Sequence, residues 1–482
     1  MAGGWVLDIG LRHACLWGCR SSRIICLSFI SGFLMGSTWV RIAICVFLAG
    51  FVWSLAPAEP VLAFGLGLFV LIGGLWMTQA LPLAVTALLV PLLAALSGLF
   101  APRDVLSSFA HPILFLFMGG FALATALQQQ GLDRALAVVV LRLAKGRPLT
   151  AVLLLFVLTA LLSMWVSNTA VVVIMLPLAS GMMQQMQTSE GAGKAAPERA
   201  FLMLGLAYSA SIGGMGTVVG SPPNAIAAAQ ANISFVEWMQ FGIPMVLLLM
   251  PLMVVALYLV LRPRYEGQVT VVSEPFEWTR ARRITVAIFL VVGVGWVGGE
   301  HLASFLGVKG DVDTVIALLA IALIVVSGVS RWEEIEANIQ WGVLLLFGGG
   351  LALSQIMDKS GTSRFLAEHL VALLEGAPLV VLFAGVFAFV VFLSELISNT
   401  AAAALLVPVL IGVAQALGVS PVIFAMAIAF SASCGFMLPV ATPPNTLVYG
   451  TGVVAPAQMM KVGFVLNLFC IVAISLVVAV VI

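Results

Sequence analysis

Ser163, Ser167 and Asn168 put three neutral oxygens within six consecutive positions of an apolar stretch. The two serines are four apart, so on a helix they share one face. Hydroxyl and amide oxygens are hard, uncharged ligands. They suit Na⁺ as they suit other hard cations, and carbonyls freed where a helix breaks can join them. Ser394, Ser398 and Asn399 repeat the residues and the spacing. Two equivalent cation sites are the natural inference.

Both triads continue into the same motif, Ser167-Asn168-Thr169-Ala170 and Ser398-Asn399-Thr400-Ala401. Each is followed further on by Pro-Pro-Asn, at Pro222-Pro223-Asn224 and Pro443-Pro444-Asn445. Proline lacks an amide donor and disfavours helix in the residue before it, so a helix must stop at Gly220-Ser221 and at Ala441-Thr442. It can restart with proline in its first turn. The restarted end should present free N–H groups and a positive dipole end, a ready anion site. The Thr169 and Thr400 hydroxyls add donors at the motifs themselves. No Arg or Lys falls in the predicted membrane core to pair with the anion. The reading is an anion cradled by neutral dipoles, with cations beside it.

The elements that carry these residues are membrane helices. Of 482 residues, 62% are hydrophobic and 9% charged, and apolar runs long enough to span a bilayer recur throughout. The net charge of +1 and the lack of a large basic cluster give no sign of a nucleic-acid partner. Six cysteines fit no metal spacing and read as apolar fillers. Residues 1–34 look foreign to the rest. They read either as a signal-like segment or as sequence ahead of a true start near Met35. Spans are expected at 42–57, 60–79, 83–100, 113–128, 243–261, 284–302, 315–329, 343–356 and 462–482. Paired segments are expected at 148–182 and 378–414, and broken helices at 200–231 and 421–450.

The chain also repeats itself. FMGGFALA from Phe117 matches FGGGLALS from Phe347, 230 residues on, and Pro148 matches Pro378 at the same offset. The serine-asparagine triads match at 231 and the Pro-Pro-Asn motifs at 221. Order kept with small indels is what a duplication leaves. A lone Ser-Asn-Thr would read as helix–helix glue and a lone Pro-Pro as a kink; in duplicate they read as one binding site. The glycine runs at Phe117 and Phe347 read as close helix packing. His111, His301 and His369 lie at span ends. Glu395, the acid beside the second motif, has two readings, a proton or cation ligand and, the favoured one, a hydrogen-bonded structural group near the hairpin tip.

If each Ser-Asn-Thr segment is a re-entrant hairpin, each repeat has five full crossings and the copies are inverted. With the first span's N-terminus inside, twelve basic residues from Arg134 to Arg331 fall on one side. Four (Arg103, Lys309, Lys359 and Arg364) fall on the other, satisfying the positive-inside rule. The expected fold is therefore an all-α polytopic membrane protein of about 11 transmembrane helices and two hairpins.

These residues, with ALPLAVTALLVP from Ala80 and LSMWVSNTA from Leu162, resemble the divalent anion:sodium symporter family. These are the INDY-like sodium-coupled dicarboxylate and citrate carriers. The likeness runs from about Arg41 to the C-terminus. It implies a homodimer in the cell (inner) membrane, working as an elevator. The scaffold would be 41–147 and 263–377, the transport domain 148–262 and 378–482, with 1–40 an extension. It implies a first Na⁺ site of Ser163, Ser167, Asn168 and the Gly220 carbonyl. A second would use Ser394, Asn399 and the carbonyls of Ile397 and Ala441. Substrate carboxylates would be held by Asn168, Thr169 and Ser221 at one end, and by Asn399, Thr400, Thr442 and Pro443 at the other. Na⁺ would be the coupling ion, a small dicarboxylate the cargo, and no organic cofactor is implied. Two departures stand out. Val171 and Ala402 follow the motif where the family often has Thr or Ser, and Ser394 stands where Thr is common.

The leading expectation is Na⁺-coupled import of C4-dicarboxylates such as succinate, malate or fumarate. The family also contains Na⁺-independent exchangers and carriers of sulfate or tricarboxylates, which keep the fold and change the cargo. An intramembrane enzyme would need a nucleophile with its base, paired aspartates or a His-Glu-x-x-His motif, and the spans carry none. A passive channel would line its pore with rings from several subunits, whereas a repeat around broken helices favours alternating access.

Overall fold

The computed structural model describes residues 37–57, 59–187, 196–265, 276–299, 304, 307, 311–373 and 378–481. The extension at 1–34, His301 and Lys309 lie outside the described residues. Among those described, the chain is helical throughout, with no strand. Eight helices are long and apolar enough to cross a membrane, which makes this a multi-pass membrane protein.

Helix α1 is Thr38–Leu55 and α2 is Pro60–Thr78. The first half then runs α3 (Leu83–Leu96), α4 (Pro102–Leu106), α5 (Pro112–Gln129), α6 (Leu132–Arg142), α7 (Pro148–Ser163), α8 (Asn168–Gln187), α9 (Ala196–Gly213), α10 (Pro222–Ala231) and α11 (Phe235–Leu261). After α12 (Arg280–Val297) the same nine kinds recur in order. They are α13 (Val312–Val326), α14 (Trp332–Asn338), α15 (Trp341–Lys359), α16 (Thr362–Leu373), α17 (Leu379–Leu396), α18 (Asn399–Ala416), α19 (Pro421–Ala432), α20 (Pro443–Gly450) and α21 (Pro456–Val481).

Local chemistry sets the boundaries. Proline opens α2, α5, α7, α10, α19 and α20, where its missing N–H costs nothing. A capping box starts α11: Ser234 Oγ accepts from Glu237 N at 3.3 Å and Ser234 N donates to Glu237 Oε2 at 2.8 Å. That helix begins at Phe235, before the expected 243, because the cap lies upstream of the apolar run. The sequence reading left α4, α6, α14 and α16 unassigned. All are short; α6 and α16 carry a narrow apolar face and several charges, which hides them from a hydropathy window.

The halves grip each other reciprocally. Helix α5 packs along α13, and α15 packs along α3. At the first contact a Cβ on Gly119 would sit 2.6 Å from Ala317 Cβ; at the second, one on Gly349 would sit 2.5 Å from Ala87 Cβ. The glycine runs thus serve close packing, as their sequence suggests. The half-helices cross over too. Helix α10 packs on α18 and α19 of the other half, and α20 packs on α8 and α9. The two breaks and the two tips are thereby brought into one interlocked region.

Candidate functional site

The first tip is the turn Met164–Ser167 between α7 and α8. Ser163, the last residue of α7, is buried, and its Oγ lies 2.7 Å from both Asn168 Oδ1 and the Ala210 carbonyl. One hydroxyl proton can serve only one of these. The same corner of the Asn168 amide faces the carbonyls of Gly220 and Ala210, each 3.2 Å away. Two arrangements satisfy such a cluster: the amide turned so that its two N–H groups face these oxygens while the Ser163 hydroxyl donates to the Ala210 carbonyl, or a cation among four inward oxygens. Three of the expected first-site residues, Ser163, Asn168 and Gly220, therefore meet. The Ala210 carbonyl joins them, an inward oxygen the sequence could not reveal. Ser167 stands apart, its Oγ 3.4 Å from Ala170 N at the start of α8.

The first break is stitched from within. Asn224 Nδ2 donates to the carbonyls of Gly214 and Thr217, both at 2.8 Å, and Ser221 Oγ donates to Asn224 Oδ1 at 3.0 Å. Thr217 Oγ1 donates to the Met164 carbonyl and accepts from Gly220 N at 3.1 Å, tying the break to the tip. A Cβ on Gly214 would run into the Asn168 side-chain amide, so any larger residue there would have to displace it.

The second break repeats the stitch. Asn445 Nδ2 donates to the carbonyls of Gly435 and Leu438, both at 3.0 Å, and Thr442 Oγ1 accepts from Asn445 N at 3.3 Å. Its tip differs from the first. Ser394 Oγ donates to the Val391 carbonyl of its own helix at 2.8 Å. Asn399 Oδ1 is buried without a hydrogen-bond partner, although it lies 3.3 Å from where a Cβ on Gly435 would sit. Ile397 and Ala441 are buried on either side of this tip and break.

The anion cradle also needs correcting. Prolines fill the first two positions of α10 and α20, so these carry no N–H. The third N–H is taken by the Ser221 carbonyl in α10 and by the Thr442 hydroxyl in α20. The restarted helices offer a dipole end with few donors. The tip helices do better. Asn168 and Thr169 begin α8, Asn399 and Thr400 begin α18, and first-turn amides have no partner within their helix. Ser398 makes no side-chain cap to cover them.

Sequence reasoning assigned no partners to Glu395. Its carboxylate accepts from three successive amides, Phe436 N (2.7 Å), Met437 N (2.8 Å) and Leu438 N (3.0 Å), and from Asn467 Nδ2 (2.7 Å). The signal for Asn467 was its amide alone in an apolar run, VGFVLNLFC.

The two breaks are unequally covered. Val219 is 8% exposed, whereas Val440, its counterpart, is 79% exposed, with Pro443, Thr446 and Tyr449 exposed beside it. Helix α10 packs on α15, and a cavity of only about 20 Å³ remains between Trp165, Ser167, Gly220 and Pro222 on one side and Phe117 and Gln340 on the other. A roomier cavity of about 630 Å³ lies between α10, α15, α16 and α18, but no motif residue lines it.

The profile of the citrate transporter family matches residues 73–428, and again 385–482. The chain belongs to this family, the divalent anion:sodium symporters. Within the family, it is 45% identical over 429 residues to an uncharacterized transporter of Haemophilus influenzae, covering 88% of this chain and 92% of that one. It is 33% identical over 432 residues to the sodium-dependent dicarboxylate transporter SdcS of Staphylococcus saprophyticus, covering 84% and 83%. In fold it is similar to the YdaH transporter of Alcanivorax borkumensis (TM-score 0.54, 18% identity, 78% of this chain and 86% of that one). The Neisseria gonorrhoeae antimetabolite efflux pump MtrF is similar in the same way (0.52, 15%, 77% and 82%). The chain is a transporter; its family and relatives are not enzymes.

Proposed function

We propose that this transporter imports C4-dicarboxylates such as succinate, malate and fumarate by Na⁺ symport. The carrying observation is the convergence of the Ser163 hydroxyl, the Asn168 side-chain amide and the Ala210 and Gly220 carbonyls at the first tip. The likeness to the sodium-dependent dicarboxylate transporter of Staphylococcus supports the ion and the cargo class.

In this reading Na⁺ sits behind each tip and neutralises the tip oxygens. One carboxylate of the substrate lies against the first-turn amides and hydroxyls of Asn168 and Thr169 with Ser221. The other lies against Asn399, Thr400 and Thr442, with Pro443 as an apolar wall. With no buried Arg or Lys among the described residues, the anion is stable only while the cations are present, which couples the two. The site residues for Na⁺ are Ser163, Ser167, Asn168 and Gly220, then Ser394, Ile397, Asn399 and Ala441.

The two halves are read as inverted repeats, with α7–α8 and α17–α18 as re-entrant hairpins and about 11 crossings in all. Residues 41–147 and 263–377 form the scaffold of a homodimer, and residues 148–262 and 378–482 move as an elevator in the inner membrane, the first span's N-terminus in the cytoplasm. The cover over α10 and the exposure of α20 support a form open on the cytoplasmic side. A Na⁺-independent exchanger is the second reading, favoured by one observation: the Ser394 hydroxyl donates to the Val391 carbonyl of its own helix, whereas Ser163 bonds toward Asn168.

The test is uptake of labelled succinate into proteoliposomes under an inward Na⁺ gradient, then with K⁺ in its place. Uptake only with Na⁺ supports symport. Uptake indifferent to Na⁺ but dependent on internal succinate would establish exchange. Sulfate uptake without succinate uptake would overturn the cargo.

A further inference from the structure

The two halves differ where the tip meets the break. At the position after the first serine, the first half has Met164 and the second has Glu395. Opposite them, Val246 in the first half corresponds to Asn467 in the second. Glu395 and Asn467 are 3% and 0% exposed, so this is a buried carboxyl with a dedicated set of partners.

Four N–H groups converge on the Glu395 carboxylate, three of them consecutive along the backbone from Phe436 to Leu438. This suits an ionised, acceptor-only group. The turn it captures runs on from Gly435, whose carbonyl is stitched by Asn445 and which stands against Asn399 Oδ1. In the first half the corresponding tie is the neutral Thr217 hydroxyl on the Met164 carbonyl.

We propose that Glu395 is the positioning residue of the second cation site: its carboxylate holds the turn 436–438 so that Gly435 and Ala441 stay against Asn399. The second site is thereby organised by a fixed negative charge, and the first by neutral groups alone. The two sites are unequal, and the second takes its cation the more readily because that charge lies behind it. This rests on the symport reading above.

The experiment titrates Na⁺ at constant ionic strength, with K⁺ in its place, on wild type and Glu395→Gln. Two readouts are followed: succinate uptake in proteoliposomes and thermal unfolding in detergent. Loss of charge-assisted hydrogen bonds should raise the half-saturating Na⁺ roughly tenfold in both. It should also lower the Hill coefficient toward one, with Glu395→Asp recovering part of the shift. A Gln variant with wild-type half-saturation and cooperativity overturns the inference. So does a drop in melting temperature that is equal at every Na⁺ concentration. If Glu395→Gln does not fold, Glu395→Asp and Asn467→Ala are held to the same two outcomes. Wild type without Na⁺ dependence in either readout overturns the symport reading, and the inference with it.

Discussion

Tyr208 donates its hydroxyl to the carbonyl of Phe436 at 2.7 Å, a buried bond between the first half and the break of the second. The matching carbonyl of the first break, Met215, is served by Trp238 Nε1 at 2.9 Å. A broken helix in a membrane leaves carbonyls without water, and each break fills that need with an aromatic donor. Tyr208→Phe keeps the ring against Phe436 and strands its carbonyl. The expected cost is about 1–3 kcal/mol, read as a lower melting temperature in detergent. An unchanged melting temperature would show that the bond is dispensable.

Asn168 belongs to both the ion and the substrate in the proposed site. Asn168→Ala should lower Na⁺-driven succinate uptake at least ~100-fold, as expected when both contacts go together. Ser163→Ala should mainly raise the half-saturating Na⁺. Uptake near wild type in Asn168→Ala would remove the site assignment.

The Gly119–Ala317 contact leaves no room for a methyl. Gly119→Ala should destabilise by about 1–3 kcal/mol through overpacking. Adding Ala317→Gly should restore only part of the loss, because the added methyl also meets the Ala317 Cα and carbonyl oxygen, each 2.8 Å away. A double-mutant cycle on melting temperatures measures the coupling. Additive losses would mean that the helices shift apart instead.

Exposure of the two breaks gives a sidedness test. Val440→Cys, in a background without other cysteines, should react with an impermeant maleimide added from the cytoplasmic face. Val219→Cys should react little. Val440 is 79% exposed and Val219 8%. Labelling of Val440→Cys only from the outer face would invert the proposed orientation.

How much of this was legible follows from cost. Polar triplets and paired prolines in apolar sequence are expensive, so the tips at Asn168 and Asn399 and the breaks at Ser221 and Thr442 stood out. The glycine runs announced their close contacts for the same reason. Helices α6 and α16 stayed hidden because short, charged, amphipathic segments between spans look like loops. The Ala210 carbonyl was invisible, since every residue has a carbonyl and only the fold chooses which one turns inward. The Asn224 and Asn445 stitches were half legible: the motif marked them, but their partners lie ten and seven residues back along an irregular turn. Ser394 shows the limit of copying one half onto the other, since equal spacing did not produce equal bonding.

The reciprocal packing of α5 on α13 and α15 on α3 carries one more consequence. Gly119 meets Ala317 while Gly349 meets Ala87, so residue i touches j and the counterpart of j touches the counterpart of i. That is the rule of an isologous interface, the kind a two-fold axis makes between identical subunits. Here the same reciprocity holds between two halves of one polypeptide. The core of the transporter is thus built like the seam of a dimer that has been closed by covalent linkage. With both halves on one chain, each was free to change alone, and away from this seam, at the tips, Met164 and Glu395 mark where the halves differ.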